Sequence, residues 1–173
     1  MSIHIIIDGY NLIRQSNIFS PLDHMDIQLG RTALIDTLAV YKKIKGHPIT
    51  VVFDGTNAPS LLQPRYQIKG IGIKFSRRGE SADTVIKRLA ASKREKALVV
   101  SSDQDVVQFA LSRGCATITS VDFEEKMEMA VHLDAHPDDG ESEGGWIPTT
   151  KKKGPGKRLP KKKRKSRIKI QKL

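Results

Sequence analysis

The sequence predicts an α/β domain built on a mostly parallel, doubly wound sheet, with a basic tail behind it, and three observations carry that prediction. Five short runs rich in Ile and Val recur along residues 1–134, as strands covered on both faces should. Stretches with helical spacing of apolar residues separate them. An acid follows most of the runs, and strands alternating with helices imply right-handed crossovers that bring those strand ends to one edge.

Taken in order, residues 3–7 (IHIII) form the first strand, and Asp8 and Gly9 follow it at once. Asn11 then stands at the start of a short helix. A long helix is predicted over 26–45, where Leu29, Ala33, Leu34, Leu38 and Tyr41 share a face and Gly46 supplies a stop. The second strand, 49–53, ends at Asp54. Residues 55–70 contain two prolines and little periodicity, which predicts a long loop beside the carboxyl edge of the sheet. The third strand is 71–75, and Glu80 and Asp83 fall at the start of a helix over 82–93. Strand 97–101 leads to Asp103 and a helix over 104–113, and strand 115–119 to a helix over 123–133.

Composition then changes. Residues 135–150 are acidic and glycine-rich, a linker signature. Residues 151–173 hold 13 of the 30 Lys and Arg and no acid, which leaves 17 basic against 19 acidic residues in the body, although the whole chain carries a formal net charge of +11. Too little apolar content predicts a disordered tail.

Several chemistries are set aside. Cys115 has no second cysteine with which to form a disulfide or metal cluster, and its apolar surroundings predict a buried small hydrophobe. No GxxxxGK[ST] loop is present, Phe75 stands where a dinucleotide motif starting at Gly70 needs its third glycine, Tyr10 replaces the second Asp of a DxDxT phosphatase, and Ser101 and Ser102 lack a GxSxG context. His132 and His136 share a helical spacing but run into Pro137. No apolar run approaches the roughly 18 residues of a membrane span, so a soluble, cytoplasmic protein without membrane contact is expected.

In an open parallel sheet, ligands bind outside the carboxyl ends of the strands. Asp8, Asp54, Asp83 and Asp103 should converge there. Any one of them alone reads as a helix cap or turn former. Four at four successive strand ends repel one another unless protons or a cation intervene, and a hard divalent ion such as Mg²⁺ or Mn²⁺ suits carboxylate oxygen. Asn11 can point its amide into the same pocket. Glu80 and Asp105 lie in range, and each also reads as an acid in a helix's first turn.

The segments IIIDGYNLI, VVFDGT, GESADTVIKRLA and LVVSSDQDVVQFA together resemble the YacP-like branch of the NYN domains, relatives of the PIN-domain nucleases. The likeness covers about residues 2–133. It implies a PIN-like three-layer α/β/α domain and an Mg²⁺- or Mn²⁺-dependent endoribonuclease, with catalytic and metal-binding roles for Asp8, Asp83 and Asp103 and assistance from Asn11 and Asp54. It also implies messenger RNA on the ribosome as one setting for cleavage.

Affinity for RNA is expected from cations around the site and in the tail. Arg77, Arg78, Lys87 and Arg88 flank the acids, and Lys161, Lys162, Lys163, Arg164 and Lys165 form the densest basic run. Tyr66 and Trp146 are candidates for stacking on bases. A solvated basic face is the plain alternative for each. Three functions compete: the nuclease, a non-catalytic RNA- or ribosome-binding protein that keeps the acids, and a DNA nuclease with the same chemistry. The oligomeric state is not readable.

Overall fold

The computed structural model describes residues 2–57, 65–135 and 161–173. Trp146, the linker beyond Ala135 and the start of the tail lie outside the described residues. Six strands, β1 (His4–Asp8), β2 (Ile49–Phe53), β3 (Arg65–Ile68), β4 (Ile71–Phe75), β5 (Ala97–Val100) and β6 (Ala116–Ile118), form one sheet in the order β3-β4-β2-β1-β5-β6. All pairs are parallel except β3 with β4. β1 is central, with Ile5 opposite both Ile49 and Leu98.

Helices cover both faces, which is why these strands read as continuous apolar runs. Ile5, Ile7, Val51, Phe53, Leu98 and Val100 point to one face and pack with Leu12, Leu34, Leu38, Phe123 and Met127. Those residues come from α1 (Gly9–Gln15), α3 (Ile27–Lys45) and α6 (Ser120–Ala135). Ile6, Val52 and Val99 alternate to the other face and meet Val85, Ile86 and Val106 of α4 (Ala82–Lys93) and α5 (Gln104–Ser112). The remaining helices are α2 (Phe19–Met25) and α7 (Lys161–Gln171).

Four expectations need correction. The last part of the segment expected as a loop over 55–70 is β3, turned back onto β4 through Lys69 (φ 51°) and Gly70 (φ 80°). α2 was not anticipated. Leu29 is exposed, and the buried face of α3 instead includes Arg31. Arg31 Nε donates to the Tyr10 hydroxyl at 2.7 Å, and its guanidinium lies 5.2 to 5.7 Å from the rings of Phe75, Tyr10 and Phe53, so cation–π contacts and a phenol offset its desolvation.

The fourth concerns the tail, whose residues 161–171 are helical rather than disordered. α7 packs against the edge strand β6. Ile170 joins the core, Leu173 is buried, and the Tyr41 hydroxyl donates to the Leu173 carbonyl at 2.9 Å.

Candidate active site

β1 ends in Asp8, which is 7% exposed, and the chain turns immediately into α1. The turn requires glycine next, because a Cβ on Gly9 would stand 2.3 Å from the Phe53 ring. Asp8 Oδ1 accepts from the Asn11 backbone N–H at 3.3 Å. At the end of β5, the fully buried Ser101 Oγ donates to Asp8 Oδ2 at 3.3 Å and accepts from the Asp103 N–H at 3.1 Å. One hydroxyl thus ties two acids together. Asp103 caps α5, accepting from the N–H groups of Asp105 (2.8 Å) and Val106 (3.4 Å) with Oδ1. Capping and a role in the site are therefore compatible: the cap occupies one carboxylate oxygen and leaves the other.

Asp83 lies in the first turn of α4, behind the cap Ser81. Asp54 follows β2 and accepts from the Thr56 N–H at 2.9 Å and from the Thr56 hydroxyl. Asp8, Asn11, Arg14, Asp54, Asp83 and Asp103 all line one cleft of about 640 Å³. Parallel pairing is what places them there, since each of these acids leaves the carboxyl end of its strand or opens the helix that follows.

The electrostatics sort the acids. Burial, and after it the charges of Asp83 and Asp103, push Asp8 up to about 6. Burial and Asp103 also raise Asp83, with Lys87 opposing. Asp54 is held below the usual carboxylate range by the Thr56 hydroxyl and N–H and then by the Ala82 N–H. Asp54 is thus a bracket between the β2 loop and α4, while Asp8 and Asp83 are charges the fold leaves poorly compensated.

Asn11, expected to assist at the metal, is held by its side-chain amide. Its Oδ1 accepts from the Ser102 N–H (2.9 Å), the Ser120 hydroxyl (2.7 Å) and Gln15 Nε2 (3.2 Å). Three donors on the oxygen fix the orientation of the amide at the cleft that Asn11 lines.

Two further acids stand aside. Glu80 accepts from the Arg77 N–H and pairs with Arg88, and Asp105 pairs with Lys87. Neither lines the cleft. The same pairs engage Lys87 and Arg88, expected to meet RNA, whereas Arg77 and Arg78 are exposed before the Gly79 turn. Tyr66 stacks on Phe75 at 6.1 Å between centroids. Lys161 to Lys165 fall on the first half of α7.

Sequence reasoning missed Arg14, Ser101 and Arg31. Arg14 lines the cleft with its guanidinium 5.4 Å from the Tyr10 ring, and the i, i+4 spacing of Tyr10 and Arg14 on a short helix was the available signal.

Among the described residues, no three His, Cys, Asp or Glu side chains stand close enough to hold a metal ion by themselves. The donor set nonetheless fits a hard divalent cation, because two of its carboxylates have raised proton affinity that a cation would relieve. Mg²⁺ in particular is held through one or two carboxylates, with water and phosphate completing its shell.

A mostly parallel sheet covered on both faces, with carboxylates gathered at its carboxyl edge, defines a PIN-like three-layer α/β/α domain. Within that class, the chain belongs to the YacP-like NYN domain family, whose model matches residues 5–167. The family is of nuclease type and acts on RNA. The crystal structure of Rae1 (YacP) from Bacillus subtilis is similar to it, with a TM-score of 0.66 and 24% identity over 79% of each chain. A point mutant of the same protein gives 0.63 and 22%, over 75% of this chain and 76% of that one. No curated protein matches the chain.

Proposed function

We propose that the chain is a divalent-metal-dependent endoribonuclease that hydrolyses RNA phosphodiester bonds, with messenger RNA on the ribosome as its setting. The observation that carries this reading is Asp8, buried at the head of the central strand and forced up to about 6 in a cleft it shares with Asp83 and Asp103.

Asp8, Asp83 and Asp103 would hold Mg²⁺ or Mn²⁺. When bound, the ion lowers the pKa of a water and offsets charge developing on the phosphorus. Ser101 fixes the relative position of Asp8 and Asp103 by donating to one and accepting from the other. The Asn11 NH₂ donates to a phosphoryl oxygen, a preorganised contact because Ser102, Ser120 and Gln15 lock the amide's other end. Arg14, backed by the Tyr10 ring, offers a bidentate fork to a neighbouring phosphate. Arg77 and Arg78 extend that positive rim along the RNA.

The test is cleavage of a labelled messenger RNA with Mg²⁺ or Mn²⁺, free and on translating ribosomes, by wild type and Asp103→Asn. Asn remains a good N-cap, so the substitution removes charge while keeping α5. Cutting by the wild type alone supports the reading; equal cutting by both sinks it. A matched DNA strand separates the DNA nuclease. The second reading, RNA binding without turnover, draws on the lack of a ready-made metal cluster among the described residues, and it predicts that neither protein cuts while both bind.

A further inference from the structure

A separate set of cations gathers at the other end of the sheet from the cleft. Lys93 ends α4, Arg94 and Lys96 lie in the 3-10 turn before β5, and Arg113 lies between α5 and β6. Arg167 lies on α7 and Lys172 just beyond it. All six are exposed. Each lies at the amino ends of the parallel strands, or on α7 where it packs there, and so opposite Asp8, Asp54 and Asp103.

Contacts join α7 to the turn before β5, so that their cations lie on adjoining surface. Lys169 Nζ donates to the Glu95 carbonyl, which fastens α7 to the turn. Glu95, Gly114 and Arg167 line a common groove of about 520 Å³. The Lys172 carbonyl lies 3.4 Å from His47 Nε2, just ahead of β2. His4, at the start of β1, has its pKa lowered by burial and then by the charges of Lys93 and Lys74.

We infer that this amino-edge surface is a second RNA-backbone site, separate from the cleft and built jointly by α7 and the turn before β5. The inference rests on the proposed function for its substrate class. The cleft is lined by four carboxylates and one arginine, so it is a poor source of affinity for a polyanion. Phosphate contacts supply affinity without reading sequence, and here the cations that supply them stand where they do not neutralise the acids of the cleft. The arrangement favours RNA long enough to span both edges of the domain.

The experiment compares Asp103→Asn with a version that also carries Lys93→Gln, Lys96→Gln, Arg113→Gln and Arg167→Gln, so that binding is read without turnover. Anisotropy of a labelled single-stranded RNA of about 40 nucleotides is titrated over salt, with an expected fall in the slope of log K against log salt of about 3, from about 0.7 per phosphate contact on a single strand. Affinity for the long RNA should fall at least tenfold at low salt. With Asp103 intact, the four changes should raise KM for the long RNA, leave its kcat in place, and leave cleavage of an RNA of about 6 nucleotides unchanged. In the wild type, the long RNA should protect Lys93 and Lys96 from acetylation, a readout that needs no variant. An unchanged salt slope with both lysines unprotected, while the RNA still binds, overturns this inference alone. Failure of the protein with this surface intact to bind the RNA at all, at either edge, overturns the proposed function with it.

Discussion

Asp8 concentrates the electrostatic problem of the site in one residue. Its carboxyl titrates near 3.8 when unfolded and at about 6 in the fold, mainly through burial. Below about pH 4 it is protonated in both states; between about 4 and 6 the folded protein holds the extra proton and loses stability as pH rises; above 6 the full penalty applies. Asp8→Asn should therefore stabilise the metal-free protein by about 3 kcal/mol at pH 7 and by little near pH 4. Denaturant melts at both values check this, and equal gains would contradict it. Asn11 yields the converse prediction. A carboxylate at this position would be the better metal ligand, yet Asn11→Asp removes the one donor the cleft receives from that side chain, so cleavage should fall on the order of 100-fold, measured at saturating Mg²⁺. Improved cleavage would show that the oxygen end faces the metal after all. At this scale the strand-end acids were legible because a carboxylate closing an apolar run needs a reason. The Ser101 bridge, the locked Asn11 amide and buried Arg31 were not, since each depends on a partner far away in sequence.

Elements were legible where period and breakers agree. The helix expected over 26–45 is Ile27–Lys45, capped by Asp26 Oδ1 accepting from the Gln28 N–H at 2.7 Å and stopped by Gly46 at φ 69°. β3 was hidden because an edge strand carries polar residues and only its alternate side chains pack. α7 was hidden for another reason: thirteen cations outweigh, in composition, the two residues three apart, Ile170 and Leu173, that anchor the helix. Leu173→Ala should cost about 2 to 5 kcal/mol, the range for truncating a buried leucine. Tyr41→Phe should cost about 1 to 2 kcal/mol by leaving the Leu173 carbonyl unpaired. Both are read from urea melts, and a tail that only solvates the protein would give no change in either.

Among the described residues, four acids gather in the cleft at the carboxyl edge of the sheet, and a set of exposed cations gathers at the amino edge. A ligand that binds only the folded state stabilises it, by about 2.7 kcal/mol at 100 times its Kd. Mg²⁺ should raise the melting midpoint of the wild type and raise that of Asp8→Asn or Asp83→Asn far less. An equal shift in all three would place the ion outside the cleft. None of the described helices is long and apolar enough to cross a membrane. What the whole molecule adds to its elements is the distance between two chemistries: in the proposed function the cleft would cut, and the inferred amino-edge surface would supply affinity.

The Tyr41 to Leu173 hydrogen bond joins residues 132 positions apart, and that separation orders events during synthesis. At roughly 5 to 20 residues per second, the Tyr41 pocket waits on the order of ten seconds for the segment that fills it. Until then α7 does not cover the β6 edge, and an uncovered strand edge can pair with another nascent chain. The last of the described helices, α7, is the one that packs on that edge.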